Sequence, residues 1–112
     1  MNWSQITKIE DIDDVKNASK EKYAIIFKHS TGCSGSKMAL SRFERSWKDE
    51  EMTNLYPYFL DLLKHREVSN KIAAEFRVKH ESPQLLLIKD GKCIYNASHH
   101  FLDYEELQKK LV

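Results

Sequence analysis

Cys33 stands in the run Ser30-Thr31-Gly32-Cys33-Ser34-Gly35-Ser36-Lys37-Met38, shortly after the apolar stretch Tyr23-Ala24-Ile25-Ile26-Phe27. The nucleophile in sulfur chemistry is the thiolate, and an ordinary cysteine of pKa about 8.5 is only a few per cent ionised at neutral pH. A helix N-terminus aims unpaired N–H groups and a partial positive charge at such a thiol and favours its ionised form. The residues around Cys33 predict that setting, a strand giving way to a helix. Gly32 and Gly35 permit close backbone approach and admit positive φ, and Thr31 and Ser34 complete a small, polar surround that argues for exposure. Ser36, about one helical turn on, is expected to offer a hydroxyl and a backbone donor to the thiolate, with Lys37 as a nearby cation. The spacing Cys33-Ser34-Gly35-Ser36 is that of a Cys-x-x-Cys redox pair with serine in second place. These residues describe a one-cysteine redox site.

The other reactive side chains carry less. Cys93 lies in an alternating, strand-like stretch and is expected to be a small apolar strand residue; the alternative is a resolving or regulatory thiol, open only if the two sulfurs come within disulfide reach. Two cysteines are too few for a disulfide scaffold or a zinc quartet. His29, His65, His80, His99 and His100 show no metal-ligand spacing, so no metal is expected. His29, four residues before Cys33, is expected to be a solvated strand-end residue, with tuning of the thiolate as the alternative. His99-His100 reads as a loop cap. The basic residues between Lys37 and Lys48 read as a helix's wet face, able to attract the carboxylates of a small thiol.

The 112 residues, 41% hydrophobic and 31% charged with 11% aromatic, suit one folded domain spanning 1–112. Eighteen basic and seventeen acidic residues leave a net charge of +1, which calls for neither nucleic acid nor anionic lipid as partner. No apolar stretch approaches the ~20 residues that span a bilayer, and Met1-Asn2-Trp3-Ser4-Gln5 lacks a leader's apolar core. A cytoplasmic protein is expected.

Elements must hold Cys33 in place, and the pattern supplies them. A short strand is predicted over 3–6. Ile9, Ile12, Val15 and Ala18 mark a helix from Lys8 to about Lys20, with Thr7 as N-cap and Glu10 closing a capping box. Tyr23 to Phe27 predicts a strand buried on both faces. Met38, Ala39, Leu40, Phe43 and Trp47 mark a helix ending near Met52 to Asn54. Tyr56 to Leu63 predicts a strand with Pro57 at its first position or on an open side. Val68, Ile72, Ala73 and Phe76 mark the next helix, and Leu85 to Ile88 a strand. Asp90-Gly91 is a hairpin turn leading to a strand over Lys92 to Ala97. A last helix runs from about Asp103 to Leu111, with Asp103 as N-cap and Phe101, Tyr104, Leu107 and Leu111 as its buried stripe. Strands alternating with helices, closed by one hairpin, predict an α/β fold: a central mixed sheet flanked by helices on both faces.

Pro83, in Glu81-Ser82-Pro83 just ahead of the strand Gln84 to Ile88, is a candidate cis residue whose position relative to the cysteine turn matches a known pattern. Asp61-Leu62-Leu63, the helix Val68 to Val78 and Ser82-Pro83-Gln84 to Gly91 resemble the second half of a thioredoxin domain. With Phe27-Lys28-His29-Ser30-Thr31-Gly32-Cys33-Ser34-Gly35-Ser36, the whole chain resembles the YtxJ family of monothiol bacilliredoxins. The resemblance implies a thioredoxin-like fold and a cytosolic enzyme that removes bacillithiol from mixed disulfides on S-thiolated client proteins. Bacillithiol or a similar small thiol would be the co-substrate, with no tightly bound cofactor, and a monomer is expected. Cys33 takes the nucleophile's place and Pro83 that of the cis-proline beside the substrate groove, where Ser82 backbone groups and Thr31 would meet the substrate. Two departures from dithiol thioredoxins stand out. Ser36 replaces the resolving cysteine, and Phe27 occupies the position of a buried acid. A thioredoxin-fold adaptor, or a sensor pairing Cys33 with Cys93, are the alternatives.

Overall fold

The computed structural model describes residues 1–111. Its elements are β1 (Ser4–Gln5), α1 (Glu10–Glu21), β2 (Tyr23–His29), α2 (Ser34–Ser46), β3 (Leu55–Asp61), α3 (Arg66–Phe76), β4 (Gln84–Lys89), β5 (Lys92–Ser98) and α4 (Tyr104–Lys110), with 3-10 turns at Asp49–Glu51 and His99–Phe101. The five strands form one mixed sheet in the order β1-β3-β2-β4-β5. β1, β3 and β2 run parallel, β4 adds antiparallel to β2, and β5 pairs antiparallel with β4.

Strand alternation divides the core in two. Ala24 and Ile26 of β2, with Leu86 and Ile88 of β4, face Ile12, Val15, Val68 and Ile72 of α1 and α3. Ile25 and Phe27, with Leu85 and Leu87, face Phe43, Tyr104 and Leu107 of α2 and α4. The helices therefore lie on both faces. Phe27 is fully buried, with ring centroids 5.7 Å from both Trp3 and Phe43, contacts worth about 0.5–1.5 kcal/mol each beyond their buried area.

Several boundaries differ from expectation for identifiable reasons. α2 stops at Ser46, because Trp47 leaves the helix to pack its ring against Phe43 and Tyr104 and to donate from Nε1 to Asp49. α1 starts at Glu10, and Asp11, not Glu10, reaches back to accept from the Thr7 and Lys8 N–H groups. Those bonds hold the Asp11 carboxyl below its usual range. Pro57 sits inside β3, opposite Ile25 and ahead of the Ser4–Tyr58 pair where β1 begins. Asp90 and Gly91 both take positive φ, 52° and 75°, as a tight right-twisting hairpin turn requires. Asp103 caps α4 by accepting from Glu106 N–H. Phe101 is 70% exposed, because the His99–Phe101 turn, entered through His99 at φ 56°, carries it away from the α4 stripe.

Most consequential is β2, which continues through Lys28 and His29 and is buried along its whole length. It is the middle strand, so even its polar end lies between two neighbours and under helices. Alternation sends Lys28 to the α3 face and His29 to the α2 face.

Candidate active site

The β2–α2 connection is short and internally tied. Cys33 N–H donates to the Ser30 carbonyl at 3.1 Å, and the Cys33 carbonyl accepts from Lys37 N–H at 3.1 Å, opening α2. Cys33 is thus the residue capping α2 at its N-terminus, extended in backbone (φ −112°, ψ 121°) and exposed in side chain, which takes no part in a capping hydrogen bond. A Cβ on Gly35 would lie 3.8 Å from Cys33 Sγ, so glycine there keeps a side chain off the thiol. Positive φ is needed at neither Gly32 nor Gly35; Gly91 alone takes it among the described glycines.

Ser36 does something other than expected. Its side chain is fully buried and turned under the loop, accepting from Ser30 N–H at 3.0 Å and lying 2.8 Å from His29 Nδ1. With one lone pair given to Ser30, its hydroxyl proton goes to His29 Nδ1 when that nitrogen is bare. Burial pushes the His29 pKa down, opposed by the Asp61 carboxylate, and so favours the neutral ring, which can accept. His29 is 5% exposed and lies 5.6 Å from the Phe59 ring, so it is a core residue and not a solvated one. The serine in the second-cysteine position therefore fastens the loop and is not aimed at the thiol.

Facing Cys33 is the Ser82–Pro83 segment, joined by a cis peptide bond. It is held from outside the sheet: His99 N–H donates to the Pro83 carbonyl at 3.0 Å, and His99 Nε2 pairs with Glu81 at 3.0 Å. That contact also holds the Glu81 carboxyl below its usual range. Cys33, Gly35, Met38, Arg42, Ser82, Pro83, His99 and His100 line one groove of about 360 Å³. Of the residues singled out from sequence, the groove gathers Cys33, Gly35, Ser82 and Pro83. Thr31 and Gly32 are exposed in the adjoining turn, Ser34 is exposed as the first residue of α2, and Ser36 is buried beneath them.

Cys93 is not brought to this groove. It sits opposite Ile88, which pairs with Ala24 at the far end of β2. Five strand residues separate Ala24 from His29, about 16 Å, against a Cα limit of ~7 Å for a disulfide. Cys93 Sγ donates to the Tyr95 carbonyl, and burial pushes its pKa up. The sensor arrangement in which Cys33 and Cys93 pair within one folded chain has no geometric basis.

On the α3 face, at the same end of β2, lies a feature that the sequence did not announce. Lys28 is fully buried, with no carboxylate partner among the described residues; its Nζ donates to the Ser69 carbonyl and lies 3.3 Å from His80 Nδ1. Burial lowers its pKa to about 8 and, with the Lys28 charge, lowers that of His80. Gln84, opposite Lys28, donates to the Lys79 carbonyl, while its Oε1 and the Ser82 hydroxyl are buried without partners among the described residues. Phe27, one residue before Lys28, lies in the core on the opposite face of the sheet.

Comparison with known proteins sets this geometry in a lineage. The family model described as monothiol bacilliredoxin BrxC matches residues 4–107. The chain belongs to the monothiol bacilliredoxin family. A solved structure described as a candidate oxidoreductase with a thioredoxin fold is similar to this bacilliredoxin-family chain at 28% identity and TM-score 0.78, covering 94% of this chain and 89% of that one. Thioredoxins of Malassezia sympodialis (17% identity, TM-score 0.75, covering 97% and 87%) and Fasciola hepatica (18%, 0.70, covering 95% and 93%) share the fold. The thioredoxin-like fold is established by these matches. Among the described residues of this bacilliredoxin-family member there is no cluster of metal-binding side chains and no helix long and apolar enough to cross a membrane.

Proposed function

We propose that the protein is a monothiol thiol–disulfide oxidoreductase that removes a low-molecular-weight thiol of the bacillithiol class from S-thiolated client proteins. In the first exchange the Cys33 thiolate attacks the small-thiol sulfur of a protein mixed disulfide. A Cys33–small-thiol disulfide forms, the protein–sulfur bond breaks, and the client leaves as its thiolate. In the second, the thiolate of another small-thiol molecule attacks the small-thiol sulfur bound to Cys33. Cys33 thiolate is regenerated and the oxidised small-thiol dimer departs, so one disulfide is exchanged for another at each step. The free thiols this requires suit a reducing, cytoplasmic setting.

The observation that carries this reading is one exposed cysteine at the start of α2, opening on a groove walled by cis-Pro83, with a buried serine where a resolving thiol would stand. Such a site holds a mixed disulfide until a second thiol arrives. The client's backbone would lie against Ser82, as the family resemblance implies.

Intact-mass analysis after mixing the protein with a bacillithiolated client tests it. The expected result is release of the client's free thiol together with a one-thiol adduct on Cys33. Loss of two hydrogens from the protein would favour a sensor, and no adduct with an unchanged client would favour an adaptor; either overturns the proposal.

A further inference from the structure

We infer that the small thiol is bound as a carboxylate-bearing molecule stretched along α2, its anionic end held by Lys37, Arg42 and Arg45. This rests on the reading that Cys33 exchanges with such a thiol.

A second hollow of about 290 Å³, lined by Lys37, Met38, Ser41, Arg42 and Arg45, adjoins the Cys33 groove and shares Met38 and Arg42 with it. Residues 38, 41, 42 and 45 recur at helical three- and four-residue steps, so they form one stripe running away from the cysteine. Nine residue steps lead from Cys33 to Arg42, about 13 Å along the helix axis. Side chains on a helix lean toward its N-terminus, which brings both guanidinium groups back toward the thiol. The span suits a tripeptide-sized thiol, with sulfur at one end and carboxylates at the other.

Electrostatics select the ligand class. α2 carries Lys37, Arg42 and Arg45 against one acid, Glu44, whose carboxylate is turned to the Trp3 indole at 2.8 Å. None of the three cations belongs to an ion pair among the described residues. Arg45 donates to Ser41 Oγ at 2.9 Å, and Arg42 to the Leu102 carbonyl at 3.4 Å. Both guanidinium groups are therefore held in place by neutral acceptors with donors left over, an arrangement that suits two-point recognition of carboxylate. The net charge of +1 makes this a local concentration and not a reflection of a basic chain. Met38, 69% exposed between the thiol and the cations, offers the stem of the ligand an apolar floor.

The test isolates the second exchange. The protein, with Cys93→Ser to leave one thiol, is loaded as its Cys33 mixed disulfide and discharged with bacillithiol or with uncharged 2-mercaptoethanol. In the Lys37→Glu/Arg45→Glu variant the rate ratio, bacillithiol over 2-mercaptoethanol, is expected to fall at least tenfold. Raising the salt should lower the same ratio in the parent protein. An unchanged ratio overturns the subsite while leaving the Cys33 chemistry intact. Failure of Cys33 to load with any small thiol overturns the chemistry itself and this inference with it.

Discussion

At the hairpin end of the sheet Ser19 is fully buried and its polar atoms are all engaged. Its hydroxyl donates to the Lys16 carbonyl and accepts from Gly91 N–H, and its carbonyl accepts from Asp90 N–H and Lys89 Nζ. At the opposite end Ser36 is equally buried and also fastens a turn, accepting from Ser30 N–H against His29. Each end carries one cysteine, and there the likeness stops. Around Cys93 the thiol donates to a backbone carbonyl, and Lys16 of α1 is paired with Glu75 at 3.0 Å. At the Cys33 end of β2, Lys28 is buried without a counter-ion among the described residues, and two polar atoms lack partners there. One end is arranged for stability. The other keeps uncompensated polar groups next to an open thiol, the pattern expected where function sets the constraint.

The widest separation should appear between the cysteines. Cys33→Ser is expected to abolish release of a small thiol from a client protein, while Cys93→Ser retains the activity within about twofold. Alkylation of the native protein, followed by peptide mapping, should label Cys33 well ahead of Cys93, whose thiol burial keeps protonated. Faster labelling at Cys93 would remove the distinction between the two ends.

A smaller contrast separates the two serines. Ser19→Ala leaves Gly91 N–H without its acceptor and should cost about 1–2 kcal/mol in denaturant unfolding, with little change in activity. Ser36→Ala should cost a similar amount, since Ser30 N–H and His29 Nδ1 both lose a partner. It should also slow Cys33 alkylation and thiol exchange by about tenfold, because the turn that presents the thiol is no longer fixed. Equal activity in the two variants would reduce Ser36 to a packing role.

The two ends were not equally legible. The hairpin end can be read locally: Asp90-Gly91 demands positive φ, and the alternation of Lys92 to Ala97 then places Cys93 with no knowledge of the rest of the fold. At the other end, Cys33 and Pro83 stand out because their chemistry is tied to short local patterns, a strand-to-helix turn and a proline ahead of a strand. Lys28 and His29 do not, since a polar pair after an apolar run reads as the end of a strand. Their burial follows from the central place of β2, a fact of sheet order that its own sequence does not carry. Arg42, His99 and His100 reach the groove only because α2 packs beside the His99–Phe101 turn, and the exposure of Phe101 has the same origin.

The lysines offer the finest contrast, read through pH. Lys28 titrates at about 8 in the folded chain against an ordinary 10.5. Between those values the unfolded chain holds the proton that the folded chain has released, so stability rises with pH across that window. Below pH 8 both states are protonated, and the full penalty for burying the charge is present, about 3 kcal/mol at most. Lys28→Met should therefore stabilise the protein at pH 7 by about 1–3 kcal/mol, the lower figure allowing for the lost bond to the Ser69 carbonyl. That advantage should shrink steadily as unfolding is measured at pH 8, 9 and 10. Taking the difference between variant and parent cancels other groups that titrate equally in both. Lys16→Met, which removes a partly exposed ion pair, should shift stability by less than about 1 kcal/mol, with no comparable dependence on pH in this range. A Lys28→Met advantage that stays flat from pH 7 to 10 would mean that Lys28 is charged and satisfied in the folded chain, and the two ends of the sheet would then be alike.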